Sequence, residues 1–215
     1  MQILAVNLLF LQTFKVMRRS LVAISLFLSA AVTMAVGQEW KHVGDASAVI
    51  EAFNEANSKV TSIECSFRQE KYVDVLVEKS VSEGFYGFYA PDSVVIRYLV
   101  PEEYSITVSG GVMRFVSAGK TSEKEIASDR RFAQLTEIIR SGGIPSVRQI
   151  QDYKIDAYSD GKSYRLVLAP LRRKSGCIEA MIDAGDMSLA SFRIMEGGQD
   201  YTEFIFTDKR IKVHE

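Results

Sequence analysis

Histidine is nearly absent from this chain: two in 215 residues, His42 and His214, far apart. A histidine-based metal site needs partners at ligand spacing, and neither has them. Cysteine is as scarce, with only Cys65 and Cys177, which excludes a disulfide framework. The two could pair in an exported protein, but Cys65 alternates with Ile63 and Phe67, the placement of a small buried core residue. No Gly-x-Ser-x-Gly turn is present to raise a serine nucleophile. Gly119-Lys120-Thr121 has the ending of a phosphate loop, yet the position five before Gly119 holds Arg114, and the segment after it makes a poor helix. It reads as a hairpin loop. Enzymatic chemistry has no visible carrier here, and no cofactor is expected. A basic excess is missing too: 26 Lys and Arg stand against 27 Asp and Glu. That argues against a nucleic-acid binder and against tight attachment to anionic membrane surfaces.

Acidic residues are wholly absent from positions 1–37. There Met17-Arg18-Arg19-Ser20 opens a basic segment, Leu21 to Met34 is an apolar run, and Ala35-Val36-Gly37 supplies small residues. This is the pattern of a secretory signal peptide cut after Gly37, with translation starting at Met17. A double-length membrane anchor is the competing reading, but the apolar run after Arg19 is short for a span. No Cys follows the cleavage region, so no lipid anchor on an N-terminal Cys is expected. Residues 38–215 suit a single domain, expected to be soluble in the periplasm.

What the chain does have is alternation. From Cys65 to Gly111, apolar and aromatic residues recur at every second position, the period that puts side chains on one face of a sheet. Breaks fall at Ala90-Pro91-Asp92 and Gly110-Gly111. Gly84 to Tyr89 and Val94 to Ile96 are apolar at nearly every position, so part of the sheet is covered on both faces or lines an apolar cavity. Strands are expected over 61–70, 73–78, 81–90, 93–100, 104–109 and 112–117, then over 151–158, 163–169, 177–183, 188–195, 200–207 and 210–213. Residues 120–127 read as polar loop.

Two helices are expected. One runs from a cap at Asp45 or Ser47 to about Lys59, with Val49, Ile50 and Phe53 in its apolar stripe. The other spans Asp129 to Arg140, with Leu135, Ile138 and Ile139, and stops at Gly142-Gly143. The fold class is α+β: a curled antiparallel sheet of about 11 strands, an open half-barrel, with both helices as a lid on its concave face. Between lid and sheet lies a packed core or a lipid-sized cavity; the aromatics Phe85, Tyr86, Phe88 and Tyr89 suit either.

The order Ser66-Phe67-Arg68-Gln69, then Glu83-Gly84-Phe85-Tyr86-Gly87-Phe88-Tyr89-Ala90-Pro91, then Pro101 and Ser109-Gly110-Gly111, resembles the LolA family of periplasmic lipoprotein carriers. The resemblance covers residues 38–215 in element order, with its motifs concentrated in 61–111. It implies a half-barrel under a helical lid, whose cavity takes lipoprotein acyl chains from an inner-membrane releasing transporter and hands them to an outer-membrane receptor. It implies a lipid-binding cavity of Ile63, Cys65 and Phe67 on the first strand. Tyr86, Phe88 and Ala90 follow on the third, and Val94, Ile96 and Tyr98 on the fourth. The lid residues implied are Val49, Ile50, Phe53, Leu135, Ile138 and Ile139. A monomer is expected. One departure stands out: where family members carry an Arg that holds the lid shut, just before the strand-ending Pro, this chain has Ala90. Arg97 is a poor substitute, because alternation puts it opposite Val94, Ile96 and Tyr98. Carriage of another lipid, or a protein-binding scaffold on the same fold, are the alternatives.

Overall fold

The computed structural model describes residues 39–75, 79–126, 144–171 and 176–214. The expected leader and the expected second helix, with Leu135, Ile138 and Ile139, lie outside them. Trp40–Glu215 forms one compact unit. Its elements are β1 (Lys41–Val43), α1 (Ala46–Ser58), β2 (Val60–Tyr72), β3 (Ser80–Tyr89), β4 (Ser93–Val100), β5 (Tyr104–Ser109), β6 (Val112–Ser117) and β7 (Lys120–Glu125). A 3₁₀ turn (Val147–Asp152) follows, then β8 (Tyr153–Ser159), β9 (Ser163–Pro170), β10 (Ile178–Asp183), β11 (Leu189–Gly197) and β12 (Asp200–Val213).

The twelve strands make one antiparallel sheet in the order β1-β8-β9-β10-β11-β12-β2-β3-β4-β5-β6-β7. Two meanders compose it: β2 to β7 on one side, β8 to β12 on the other, joined where β12 pairs with β2. The two outermost strands, β1 and β7, do not pair with each other, so the sheet stays open, as a half-barrel does. Local chemistry sets the turns. Gly110 and Gly111 both take positive φ, 56° and 78°, between β5 and β6, the double left-handed step of a tight hairpin turn.

Helix α1 begins where expected. The Asp45 carboxylate accepts from the backbone N–H groups of Ser47 and Ala48 at 3.0 and 3.3 Å, satisfying two of the free donors at a helix start. Val49, Ile50 and Phe53 fall on one side and are buried. They pack on Ala157, Leu166, Leu168, Ile178, Ala180 and Ile182 of β8, β9 and β10. Asn54 and Asn57 donate to the carbonyls of Pro145 and Met187, both at 3.2 Å, and tie the helix to neighbouring loops.

Four expectations are revised. Residues 73–75 are not a strand: β2 continues to Tyr72 and the chain turns at Asp74-Val75. Residues 200–207 and 210–213 are one strand, β12, with an irregularity between Thr207 and Arg210. β7 and β1 were not expected. β7 is exposed at all six positions, so no apolar alternation marks it, and β1 has only three residues.

Candidate functional site

The register brings the sequence-predicted residues of three strands onto one face. Ile63 is opposite Phe88, which is opposite Val94; Cys65 is opposite Tyr86, which is opposite Ile96. Phe67 is opposite Gly84, which is opposite Tyr98. Each row then runs on into β5 and β6, through Val108 and Met113, through Ile106 and Phe115, and through Tyr104. Cys65, Phe67, Val94, Ile96 and Tyr98 are buried, while Ile63, Tyr86 and Phe88 keep partial exposure. Ala90 is not with them. It lies exposed past the end of β3, in the turn before Pro91, where its N–H bonds to the Thr61 carbonyl at 2.9 Å.

The sequence reading missed the continuation of this face on the other side of β2. Phe206 is opposite Phe67, Phe204 is opposite Gln69, and Phe192 is opposite Phe204. A chain of rings results: Phe192 on Phe204 (4.9 Å between centroids), Phe204 on Phe67 (5.9 Å), Phe67 on Tyr98 (5.0 Å), Tyr98 on Tyr104 (4.3 Å) and Tyr104 on Phe115 (5.5 Å). These are favourable aromatic spacings. The alternation of Thr202, Phe204 and Phe206 was readable. Which strand lies beside β2 is not a local property, and so the neighbourhood was not.

Gly84 explains one link. Phe67 and Tyr98 sit on strands that are not neighbours, with β3 between them. A Cβ at Gly84 would come within 3.0 Å of the Phe67 ring and 2.0 Å of the Arg97 carbonyl oxygen. With no side chain at that position, the two rings meet edge to face across β3. Polar groups on the face are few and bonded: the Tyr98 hydroxyl donates to Gln69 Oε1 at 2.6 Å. Burial pushes the Tyr98 phenol well up and the Cys65 thiol up to about 11, the latter against a smaller downward pull from Lys209. Cys65 and Cys177 are both free thiols.

The predicted helix residues divide. Val49, Ile50 and Phe53 are buried over β8 to β10, with Phe192 of β11, rather than over β2 to β4. No other α-helix lies among the described residues. Arg97 points away from the apolar rows and pairs with Glu103 at 2.5 Å. It lines an open groove of about 410 Å³ on the outer face, with Glu64, Phe85, Gly87, Tyr89 and Arg210. Phe85 and Tyr89, read as core or cavity from sequence, are therefore outer-face residues, and both are exposed.

No family model matches the chain, and no curated protein matches it. Among solved structures, the chain is similar to a LolA superfamily protein from Nitrosomonas europaea (9% identity, TM-score 0.41, covering 80% of this chain and 96% of that one). It is also similar to an uncharacterised conserved protein from Thermus thermophilus (9%, TM-score 0.49, 79% and 89%). A third is the lipoprotein LppX from Mycobacterium tuberculosis (14%, TM-score 0.44, 78% and 97%). The architecture is therefore read from the sheet itself, twelve antiparallel strands left open between β1 and β7.

Proposed function

We propose that this chain is a periplasmic carrier that shields acyl chains on the inner face of its sheet, those of lipoproteins in transit from inner to outer membrane. The observation that carries the reading is the convergence of Ile63, Cys65, Phe67, Tyr86, Phe88, Val94, Ile96 and Tyr98 on one continuous face of an open sheet. Apolar sites with few, bonded polar groups are typical of lipid-sized ligands. Half-buried Tyr86, Phe88, Tyr104 and Ile106 retain surface for a ligand to cover. Each buried methylene contributes about 0.8 kcal/mol, so a close-fitting cavity would hold several acyl chains too firmly to release. Rings that pack on one another in the empty protein, as Tyr98 and Tyr104 do, compete with the ligand and keep binding reversible. Leu135, Ile138 and Ile139 belong to this proposal as the second part of the cover, on the sequence pattern alone.

One observation favours a second reading, carriage of a different lipid. Neither Ala90, exposed in its turn, nor Arg97, paired outward with Glu103, can latch a cover over the inner face. Neither of the two positions considered for an arginine latch, Ala90 and Arg97, therefore supplies one.

The test is native mass spectrometry with lipid extraction on protein purified from the periplasm without detergent. A co-purified lipoprotein supports the first reading, and a free lipid the second. An empty protein that takes up no fluorescent acyl probe means the face is solid core and overturns both, leaving a protein-binding scaffold.

A further inference from the structure

The pairing of β12 with β2 carries an irregularity at the centre of the sheet. Thr207 is opposite Ser66 and Arg210 is opposite Glu64, so Asp208 and Lys209 together face the single residue Cys65. Two residues against one is a β-bulge. Asp208 takes a φ of 54°, a left-handed conformation that Asp adopts more readily than most residues. Asp208 lines the open groove with Glu64 and Arg210. Lys209 turns the other way. Its Nζ donates to the Ser188 hydroxyl and, at 3.4 Å, to the Leu189 carbonyl, and Leu189 packs against the core under α1. The bulge thus sets an ammonium on the inner face, in the row of Cys65, Tyr86, Ile96 and Ile106.

Lys209 is half-buried there, so part of its side chain stays open to solvent. Among the described residues, Ser188 and Leu189 give two neutral acceptors to a group with three donors. The carboxyl nearby is Asp186. Burial would raise it, but hydrogen bonds from Ser188, with the N–H at 2.8 Å, and the charge of Lys209 hold it below the usual range. An ammonium with spare donor capacity beside an aromatic strip has the layout of a headgroup site.

We propose that Lys209 is the headgroup anchor of the inner face, which takes an anionic lipid: the acyl chain lies along the aromatic strip and a carboxylate or phosphate oxygen accepts from Lys209 Nζ. The inference rests on the acyl-carrier reading above and favours its second form, carriage of a lipid other than a lipoprotein, because ester- and amide-linked acyl chains carry no negative charge at their root.

The experiment measures binding of three fluorescent probes of one chain length to the full protein: a fatty acid, its methyl ester and its phosphate monoester. At least one charged probe should bind wild type about tenfold more tightly than the ester, the worth of one charge-assisted hydrogen bond. Lys209→Met should abolish that preference, Lys209→Arg should keep it, and Asp186→Asn should widen it. A tighter acid points to free fatty acids, and a tighter phosphate to phospholipids. Equal binding of all three probes to wild type, or an undiminished preference in Lys209→Met, overturns the anchor and leaves the carrier standing. If no probe binds, the carrier reading falls and the anchor with it. Should Lys209→Met not fold, the wild-type ratio and its retention in Lys209→Arg decide.

Discussion

The two halves of the sheet solve different problems with one strand pattern. Under α1, the inner face of β8 to β10 is built from Ala157, Leu166, Leu168, Ala180 and Ile182, all sealed from solvent. On β2 to β6 the same alternation presents Phe67, Tyr86, Phe88, Tyr98, Tyr104 and Met113, several of them only half-buried. Small aliphatics interlock with a helix and leave no room. Large planar rings and a flexible thioether slide, tilt and repack. The first half is suited to hold the fold, the second to change its contacts.

Substitutions can break that contrast. Gly84→Val should be the most damaging, because even a Cβ would meet the Arg97 carbonyl oxygen at 2.0 Å and force β3 from β4; loss of soluble, cooperatively melting protein is the expected outcome. Leu166→Ala, under α1, should cost about 2–5 kcal/mol in denaturant unfolding while acyl-probe affinity stays unchanged. Phe88→Glu should do the reverse, with probe binding lost and a smaller drop in melting temperature, since Phe88 is only half-buried and the carboxylate can reach water. Equal effects of these two on both readouts would mean that the halves do not divide the work.

Tyr98→Phe sharpens the comparison at smaller scale. It removes the hydrogen bond to Gln69 and should cost about 1 kcal/mol. The Cys65 thiol supplies a pH signature. Burial pushes its pKa up to about 11 in the fold, above the ordinary 9.0 of a thiol, so the folded state prefers the neutral form. Stability from this group is complete below pH 9 and declines as pH rises from about 9 to 11. The stability difference between wild type and Cys65→Ala should therefore shrink over that interval, read from denaturant midpoints at pH 8 and 10.5.

Much of the fold was legible where the alternation is strong. β3 to β6 and the start of α1 follow from single residues such as Pro91, Gly110 and Asp45. What was not legible has local causes. Lys120–Glu125 forms an edge strand with no buried side, so nothing in its composition distinguishes it from loop. The bulge at Asp208-Lys209 looked like a gap between two strands, because it interrupts the period without ending the pairing. At the site, three strands of the face could be aligned from their own sequences. The contribution of Phe204 and Phe206 depends on β12 lying beside β2, which no short stretch encodes.

That pairing also dictates an order of assembly. The meander β2 to β7 can form from contiguous sequence, and so can β8 to β12, but the joint needs residues from both ends of the sheet-forming chain. Distant pairings of this kind form late. Until β12 docks, β2 presents a bare edge of thirteen residues, a template for wrong partners, with Phe67 and Cys65 uncovered beside it. A ligand that favours the completed face over the open chain would draw the equilibrium toward closure, so the cargo itself would raise refolding yield.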